Sequence, residues 1–168
     1  MCLVELEKGL LRTGDEAGYL RGAVEFVRSL LGARAGVIAL RTGEWRWVGL
    51  AHSGLEPSEV QRLESLPVER GPLGVIASTP RALRLEDLER HPDTAGVSEF
   101  HPGARTLLAV PLLIGGRVIG GLYLCDRDSG GPFREEHAAL AAGFARGLTL
   151  AHALWRAGQP AARAARAG

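Results

Sequence analysis

A pair of glycines between two strongly apolar runs constrains the fold of this chain more than any other feature. Gly115–Gly116 separates Thr106–Ile114 from Arg117–Cys125. Paired glycines between apolar runs favour a tight hairpin turn, because such turns need positive φ at their central residues. The sequence therefore predicts a buried β-hairpin over 105–126. Pro111 interrupts the first run and cannot donate a ladder hydrogen bond, so we expect it at a bulge or on a side without a partner strand.

Helical and strand patterns surround this hairpin. Apolar residues recur at helical spacing in Leu3–Arg12, Asp15–Leu31 and Glu135–Trp155. The expected buried stripe of the helix at Asp15–Leu31 is Leu20, Val24, Val27, Leu30 and Leu31. The expected buried stripe of the last helix is Leu140, Phe144, Leu148, Ala151 and Leu154. Further strands are expected at Ala35–Arg41, Trp45–His52 and Ala82–Leu85, and short helices at Pro57–Leu66 and Gly71–Ser78.

This order predicts an α+β fold around a central antiparallel sheet of about five or six strands. The N- and C-terminal helices should cover one face of the sheet. The short helices and a long polar loop over 86–103 should enclose a pocket on the other face. Because the central strands are apolar on both faces, the pattern does not say which strand residues line that pocket.

Length and composition fit one domain over 1–157, followed by an Ala/Arg/Gly tail over 158–168 that we expect to be disordered. A net charge of +1 provides no electrostatic drive towards nucleic acid or acidic lipid. No apolar run approaches the roughly 18 residues of a membrane span, and no signal-peptide pattern is present. Cys2 and Cys125 are the only cysteines and are expected to be free thiols, so the expected location is the cytoplasm.

Five segments together carry a family resemblance: Gly71–Gly74, Pro80–Asp87, Thr106–Pro111, Val118–Asp126 and Phe133–Leu140. In order and spacing they resemble a GAF domain, and the resemblance extends over about 15–154. It implies a sensory module that binds a small molecule or dimerises, in most cases without catalytic activity of its own.

A narrower resemblance involves His101-Pro102, Arg105–Pro111 and Leu122–Leu124. These are similar to the GAF domains of mycobacterial haem histidine kinases that sense oxygen and redox state. The resemblance implies that His101 is the proximal ligand of a haem iron and that Tyr123 lies on the distal side. The sequence departs from that family at Gly103-Ala104, where bulkier residues are usual.

The candidate pocket residues are His101, Tyr123, Asp87 and Arg105, with His101 as the candidate iron ligand. His-Pro also occurs as a loop-shaping dipeptide in GAF domains that bind no haem, and His91-Pro92 offers a second histidine. Tyr123 either faces the pocket or belongs to the core under the terminal helices; the sequence leaves both possibilities open.

The sequence also bears on two other chemistries, thiol redox reactions and cyclic-nucleotide binding. A redox-active Cys125 would need an exposed thiol of depressed pKa, and two cysteines so far apart fit poorly with GAF-type methionine sulfoxide reductases. Cyclic-nucleotide-binding GAF domains carry an Asn-Lys pair where this chain has Asp126-Arg127. Phe133 with Glu135-Glu136 resembles the second half of that motif, although acidic residues at a helix N-terminus have an electrostatic explanation of their own.

The sequence therefore predicts a non-enzymatic regulatory domain that binds a small molecule and signals through its terminal helices. Those helices are expected to pair in a homodimer, with small apolar residues allowing close approach: Ala138, Ala142, Ala145 and Leu148. The output is expected to pass to a separate protein such as a kinase or regulator. A haem-based gas or redox sensor and a ligand-free dimerisation or scaffold module remain as alternatives.

Overall fold

The computed structural model describes residues 4–5, 8, 14–41, 47–65, 72–90 and 103–158. Residues 4, 5 and 8 are helical, and the rest of the helix expected at 3–12 lies outside the described residues, as does most of the tail. Within the described ranges, no helix is both long enough and apolar enough to cross a membrane.

From residue 16 onwards, the described residues form four helices, five strands and one short 3-10 turn. The first half contains α1 (Glu16–Leu30), β1 (Ala33–Arg41), β2 (Trp47–Ser53), α2 (Pro57–Ser65) and α3 (Pro72–Ser78). The second half contains β3 (Leu83–Leu85), the 3-10 turn (Leu88–Arg90), β4 (Leu107–Ile114), β5 (Arg117–Arg127) and α4 (Glu135–Ala157). The strands form one sheet in the order β2-β1-β5-β4-β3, and all neighbours are antiparallel. The predicted α+β fold is confirmed.

The central hairpin forms where the two glycines predict it. Gly115 and Gly116 have φ of +55° and +78°, and Ile114 pairs with Arg117 across the turn. The neighbouring strand β3 reaches along β4 only to Ala109. Pro111 therefore has one neighbouring strand in the described structure, which spares the sheet a missing donor on its other side.

Strand β5 is the centre of the sheet, because it pairs with β1 on one edge and with β4 on the other. Residues 120–125 are all buried. Two separate clusters of buried side chains lie against the two faces of the sheet. The larger cluster joins the sheet to α1 and α4, and the smaller cluster joins it to α2, α3 and β3.

Helix α1 begins and ends as the sequence predicts, but one of its leucines faces outward. Asp15 caps the helix by accepting a hydrogen bond from the backbone N–H of Gly18 at 2.8 Å. Gly32 follows the helix with φ of +59°. Leu31 is buried, whereas Leu30, which the periodicity assigned to the buried stripe, is 56% exposed.

The buried face of α4 differs from the predicted one. It consists of Ala138, Ala141, Phe144, Ala145, Leu148, Thr149 and His152. Leu140 and Leu154, predicted to be buried, are 56% and 63% exposed. The small alanine side chains let the helix approach the sheet closely, so this face turns inward although it carries fewer large residues.

Because a different face of α4 is buried, the surface that the sequence predicts for pairing with a second chain is wrong. Ala138, Ala145 and Leu148 are buried in the domain's own core, and Ala142 is partly buried against it. Ala138, Ala145 and Leu148 are therefore covered by the domain itself and do not face a second chain.

The two long helices contact each other as well as the sheet. The hydroxyl of Tyr19 donates to the backbone carbonyl of Leu148 at 3.3 Å. Phe26 stacks on Phe144 with ring centroids 5.9 Å apart. Nε2 of the buried His152 lies 2.5 Å from a carboxylate oxygen of Glu16. The beginning and the end of the described domain are thus joined in one layer.

The end of β5 is held by the carboxylate of Asp126. One of its oxygens accepts hydrogen bonds from the backbone N–H groups of Arg105 and Thr106, at 2.8 and 2.9 Å. The other lies 3.3 Å from a guanidinium nitrogen of Arg34. Asp126 also has φ of +48°, a conformation that aspartate and asparagine tolerate better than most residues. The side chain therefore joins the start of β4 to the end of β5.

We expect Asp126→Ala to lower the free energy of unfolding by about 2–4 kcal/mol, because two backbone donors lose a charged acceptor and alanine is strained at positive φ. Asp126→Asn keeps a carbonyl oxygen and the conformational tolerance, and should cost about 1 kcal/mol. Urea denaturation of both variants measures the difference. Asp128→Ala, at an exposed neighbouring carboxylate, is the control; an equal loss in Asp126→Ala and Asp128→Ala would contradict this role.

A polar network joins α1 to the end of β2. The guanidinium of Arg28 donates to the hydroxyl of Ser53 at 2.8 Å, to the carbonyl of Ala33 at 3.1 Å and to the carboxylate of Glu25 at 2.9 Å. The Ser53 hydroxyl also donates to Glu25. The hydrogen bond from Ser53, followed by that from Arg28, lowers the pKa of Glu25 below its ordinary value.

A lowered pKa in the folded state gives stability that is present above the ordinary pKa and is lost as the pH falls through the lowered one. Glu25→Gln should therefore flatten the decline of the melting temperature between about pH 5 and pH 3. Because Glu25 is half exposed, the effect at neutral pH should be about 0.5 kcal/mol. Glu86→Gln removes an exposed carboxylate elsewhere and should keep the wild-type profile. Identical slopes in the two variants would rule out this contribution.

Candidate functional site

The two faces of the sheet carry side chains of different size. The face under α1 and α4 carries large aliphatic residues: Ile38, Leu40, Leu108, Val110, Leu112, Leu122 and Leu124. The centre of the opposite face is smaller: Ala35, Val37, Ala39, Ala109 and Gly121. A floor of small residues lets a covering group or a ligand approach the strands closely.

The cover over this small-residue face comes from short elements. Leu63 of α2, Ile76 of α3 and Leu85 of β3 are buried against it, together with Leu88 of the 3-10 turn. The chain between the 3-10 turn and β4 continues through 91–102, outside the described residues. The face therefore lies where the sequence predicts a pocket.

Tyr123 is the largest side chain of this face, and the structure settles its orientation. It belongs to the cluster under α2 and α3, not to the core under the long helices. A β-carbon on Gly121 would collide with its hydroxyl, so the ring lies across that glycine and beside Ile76.

The hydroxyl of Tyr123 is buried and has no hydrogen-bond partner within the described structure. Burial raises the pKa of Tyr123 well above its ordinary value, so the group stays neutral and can donate a hydrogen bond. A buried hydroxyl without a partner costs about 1–3 kcal/mol. The site thus presents one unused donor above an apolar floor.

Asp87 and Arg105 lie at the surface, on two segments that are distant in sequence but meet in the fold. The backbone N–H of Leu88 donates to the carbonyl of Arg105 at 2.9 Å, which brings the two segments together. The carboxylate of Asp87 lies 3.3 Å from Nε of Arg90. The side chain of Arg105 is exposed. Their contact with a ligand stays a prediction.

His101, the candidate iron ligand, lies outside the described residues, and so does His91. The described ranges contain no group of three or more His, Cys, Asp or Glu side chains placed to hold a metal ion. Of the groups that would surround a haem, the described residues supply the small-residue floor and the hydroxyl of Tyr123.

Cys125 is buried on the same face as Tyr123. Burial, and secondly the charge of Asp126, raise the pKa of its thiol to about 12. Cys125 is therefore a neutral thiol near pH 7, without the thiolate that redox chemistry requires. Cys2 lies outside the described residues.

The residues that resemble a cyclic-nucleotide motif are placed elsewhere. Phe133 is buried in the core under the long helices, on the opposite side of the sheet from Tyr123. The carboxylate of Glu135 lies 3.1 Å from Arg84, and that of Glu136 lies 3.6 Å from Arg134. Asp126 holds the sheet together, a role that the sequence reasoning missed because both of its backbone partners lie about twenty residues away.

Many solved protein structures have a fold similar to that of this chain. A free methionine-R-sulfoxide reductase from Neisseria meningitidis, solved with its substrate, superposes with a TM-score of 0.74 at 20% identity, over 93% of this chain and 89% of that one. A GAF domain/HD domain protein from Geobacter sulfurreducens gives 0.72 at 17% identity, over 93% and 99%. The GAF domain of an Acinetobacter phosphoenolpyruvate-protein phosphotransferase gives 0.68 at 19% identity, over 92% of each. At these identities the likeness shows the fold.

The family comparison identifies the sequence itself. A family model described as a GAF domain matches residues 14–152, which include every strand of the sheet and both long helices up to His152. The five segments that resemble the family lie within this range. The chain therefore belongs to the GAF domain family.

Proposed function

We propose that this GAF domain is a regulatory sensor that binds a small molecule against the sheet face of Tyr123. The observation that carries the proposal is the buried hydroxyl of Tyr123, which has no partner in the described structure and lies above a floor of small residues. A ligand acceptor at this point would remove the cost of the unpaired donor. Asp87 and Arg105 would contact the ligand from the surface side.

The same strand provides a route from ligand to helices. Leu122 and Leu124 flank Tyr123 along β5 and point to the opposite face, into the core that α4 shares. A displacement of β5 would therefore move side chains that pack against α4, because a close-packed core transmits small displacements. The ligand would favour one of two conformers by binding it more tightly.

The readout surface would be an exposed line along α4. Leu140, Leu150 and Leu154 are 56%, 62% and 63% exposed, and Gly143 and Gly147 lie between them at the spacing of a coiled-coil seam. We name these five residues the leucine–glycine stripe. Glycines permit close approach and leucines supply apolar area, so the stripe would pair with that of a second copy. A separate output protein, such as a kinase or regulator, would recognise the pair.

Haem is the ligand class that the sequence resemblance favours, through His101. A thiol-based reductase is disfavoured, because the buried Cys125 keeps its proton. We therefore propose a binding role without catalysis. Ligand identity is best approached with haem, cyclic AMP, cyclic GMP and methionine sulfoxide, which represent the chemistries considered above.

We expect at least one of these four compounds to raise the melting temperature of the wild-type protein and to bind about tenfold more weakly to Tyr123→Phe, the scale of one buried hydrogen bond. With haem, a sharp Soret band that disappears in His101→Ala would identify the iron ligand. Equal binding of every active compound to Tyr123→Phe would contradict the proposed site.

Tyr19→Phe is a matched control, since Tyr19 is equally buried but its hydroxyl has an internal acceptor. Without ligand, Tyr19→Phe should lose about 1 kcal/mol of stability, whereas Tyr123→Phe should lose none. An equal loss in both would mean that the Tyr123 hydroxyl is already paired within the protein.

The pairing of the stripe is tested by sedimentation equilibrium. We expect a wild-type dimer and a folded monomer in Leu150→Glu, because a carboxylate in the centre of the stripe would have to be buried without a partner. Ile114→Glu changes another exposed apolar residue, at the hairpin, and should remain dimeric. A monomeric wild type, or dimers in both variants, would contradict pairing through the stripe.

A further inference from the structure

A surface recess lies away from the Tyr123 face, in the layer of the long helices. It is a surface groove of about 490 Å³ between the end of α1, the loop after β5 and the start of α4. Its volume falls within the range of about 300–1,000 Å³ that is usual for small-molecule sites. Its lining includes Leu30, Leu140, Arg127, His137, Asp128 and Glu136.

Two side chains that line the groove, Arg127 and His137, each have a hydrogen-bond donor without a partner among the described residues. Nε of Arg127 is buried without an acceptor, and no ion pair of this guanidinium occurs in the described ranges. Nδ1 of His137 accepts the backbone N–H of Arg134 at 2.8 Å, which assigns the proton of the neutral ring to Nε2. Burial, and secondly the charge of Arg127, lower the pKa of His137, so the neutral form prevails near pH 7.

Two carboxylates line the same groove. Glu136 lies 3.6 Å from Arg134, outside direct hydrogen-bond distance. The backbone N–H of Asp128 donates to the carbonyl of Gly32 at 2.8 Å, which holds this loop against the end of α1. The groove contains one guanidinium and two carboxylates. The carboxylates would repel a simple anion, and the guanidinium of Arg127 would repel a simple cation. A ligand that carries both charges matches it.

The apolar part of the groove's lining includes two exposed leucines, Leu30 and Leu140. Leu30 and Leu140 are each 56% exposed, although the helical periodicity of their segments predicts that both are buried. They lie on different helices and line the same groove. Large exposed aliphatic side chains grouped at one recess are typical of binding sites.

We propose that this groove binds a free α-amino acid with an apolar side chain. The carboxylate of the ligand accepts from Arg127 and from Nε2 of His137. Its ammonium group donates to Asp128 and Glu136, and its side chain lies along Leu30 and Leu140. This site is separate from the small-molecule site on the Tyr123 face, and neither depends on the other.

The test is calorimetric titration of the full chain with leucine and with two analogues, 4-methylpentanoate without the ammonium group and 3-methylbutylamine without the carboxylate. We expect saturable binding of leucine that weakens about tenfold or more for each analogue and in Arg127→Gln, the scale of one charged hydrogen bond. Arg117→Gln, at the exposed opposite end of β5, should bind leucine like the wild type.

Absence of leucine binding would overturn the proposal, as would equal binding of 4-methylpentanoate or an unchanged affinity in Arg127→Gln. Tyr123→Phe separates the two sites. If leucine binding is lost in Tyr123→Phe and retained in Arg127→Gln, leucine occupies the sheet face and the groove assignment is wrong. If leucine binds through Arg127 while no compound responds to Tyr123→Phe, the groove stands and the proposed function of the sheet face fails.

Discussion

The pairing of β5 on both of its edges is the constraint on which the rest of this domain depends. A strand that is hydrogen-bonded to β1 and β4 and buried from 120 to 125 must be covered on both faces. One cover is supplied by α1 and α4. The other is supplied by α2 and α3, together with Leu88 of the 3-10 turn and Ala104. Near the end of the strand, Asp126 accepts hydrogen bonds from two backbone N–H groups just before β4, which ties these neighbouring strands together.

The two covers pack against side chains of different size. The long helices pack against large aliphatic residues, which makes that side a continuous core. The short elements pack against alanines, a valine and a glycine, and this side contains the unpaired hydroxyl of Tyr123. Alternate residues of β5 point into the two layers. The strand that contacts the small-residue side therefore also packs, through its other side chains, against the long helices.

Helix α4 has two apolar faces, one buried and one exposed. The inward face consists mainly of alanines with Phe144 and Leu148, and it brings the helix close to the sheet. The leucine–glycine stripe is left exposed on another side. Leu140 belongs to this stripe and also lines the groove at the end of α1. The start of α4 is therefore the place where the proposed amino-acid site and the proposed pairing surface meet.

Most of the elements could be predicted from the sequence, because turn chemistry and periodicity are local properties. The two glycines with positive φ placed the hairpin, Asp15 placed the start of α1, and the order of strands and helices predicted an α+β fold with two covered faces. The family resemblance came from the same local segments and is confirmed by the match over 14–152.

The functional geometry was decided by contacts between residues far apart in the chain. A strand that is apolar on both faces carries no signal of direction, so the orientation of Tyr123 depended on where α3 packs. Helical spacing of apolar residues predicts an inward face of α4 that includes Leu140 and Leu154, yet in the structure the alanines face inward and these two leucines are exposed. The sequence by itself determined the elements and the family, since these depend on neighbouring residues. The tertiary structure decided which side chains lie on each face of the sheet, because that depends on how distant elements pack together.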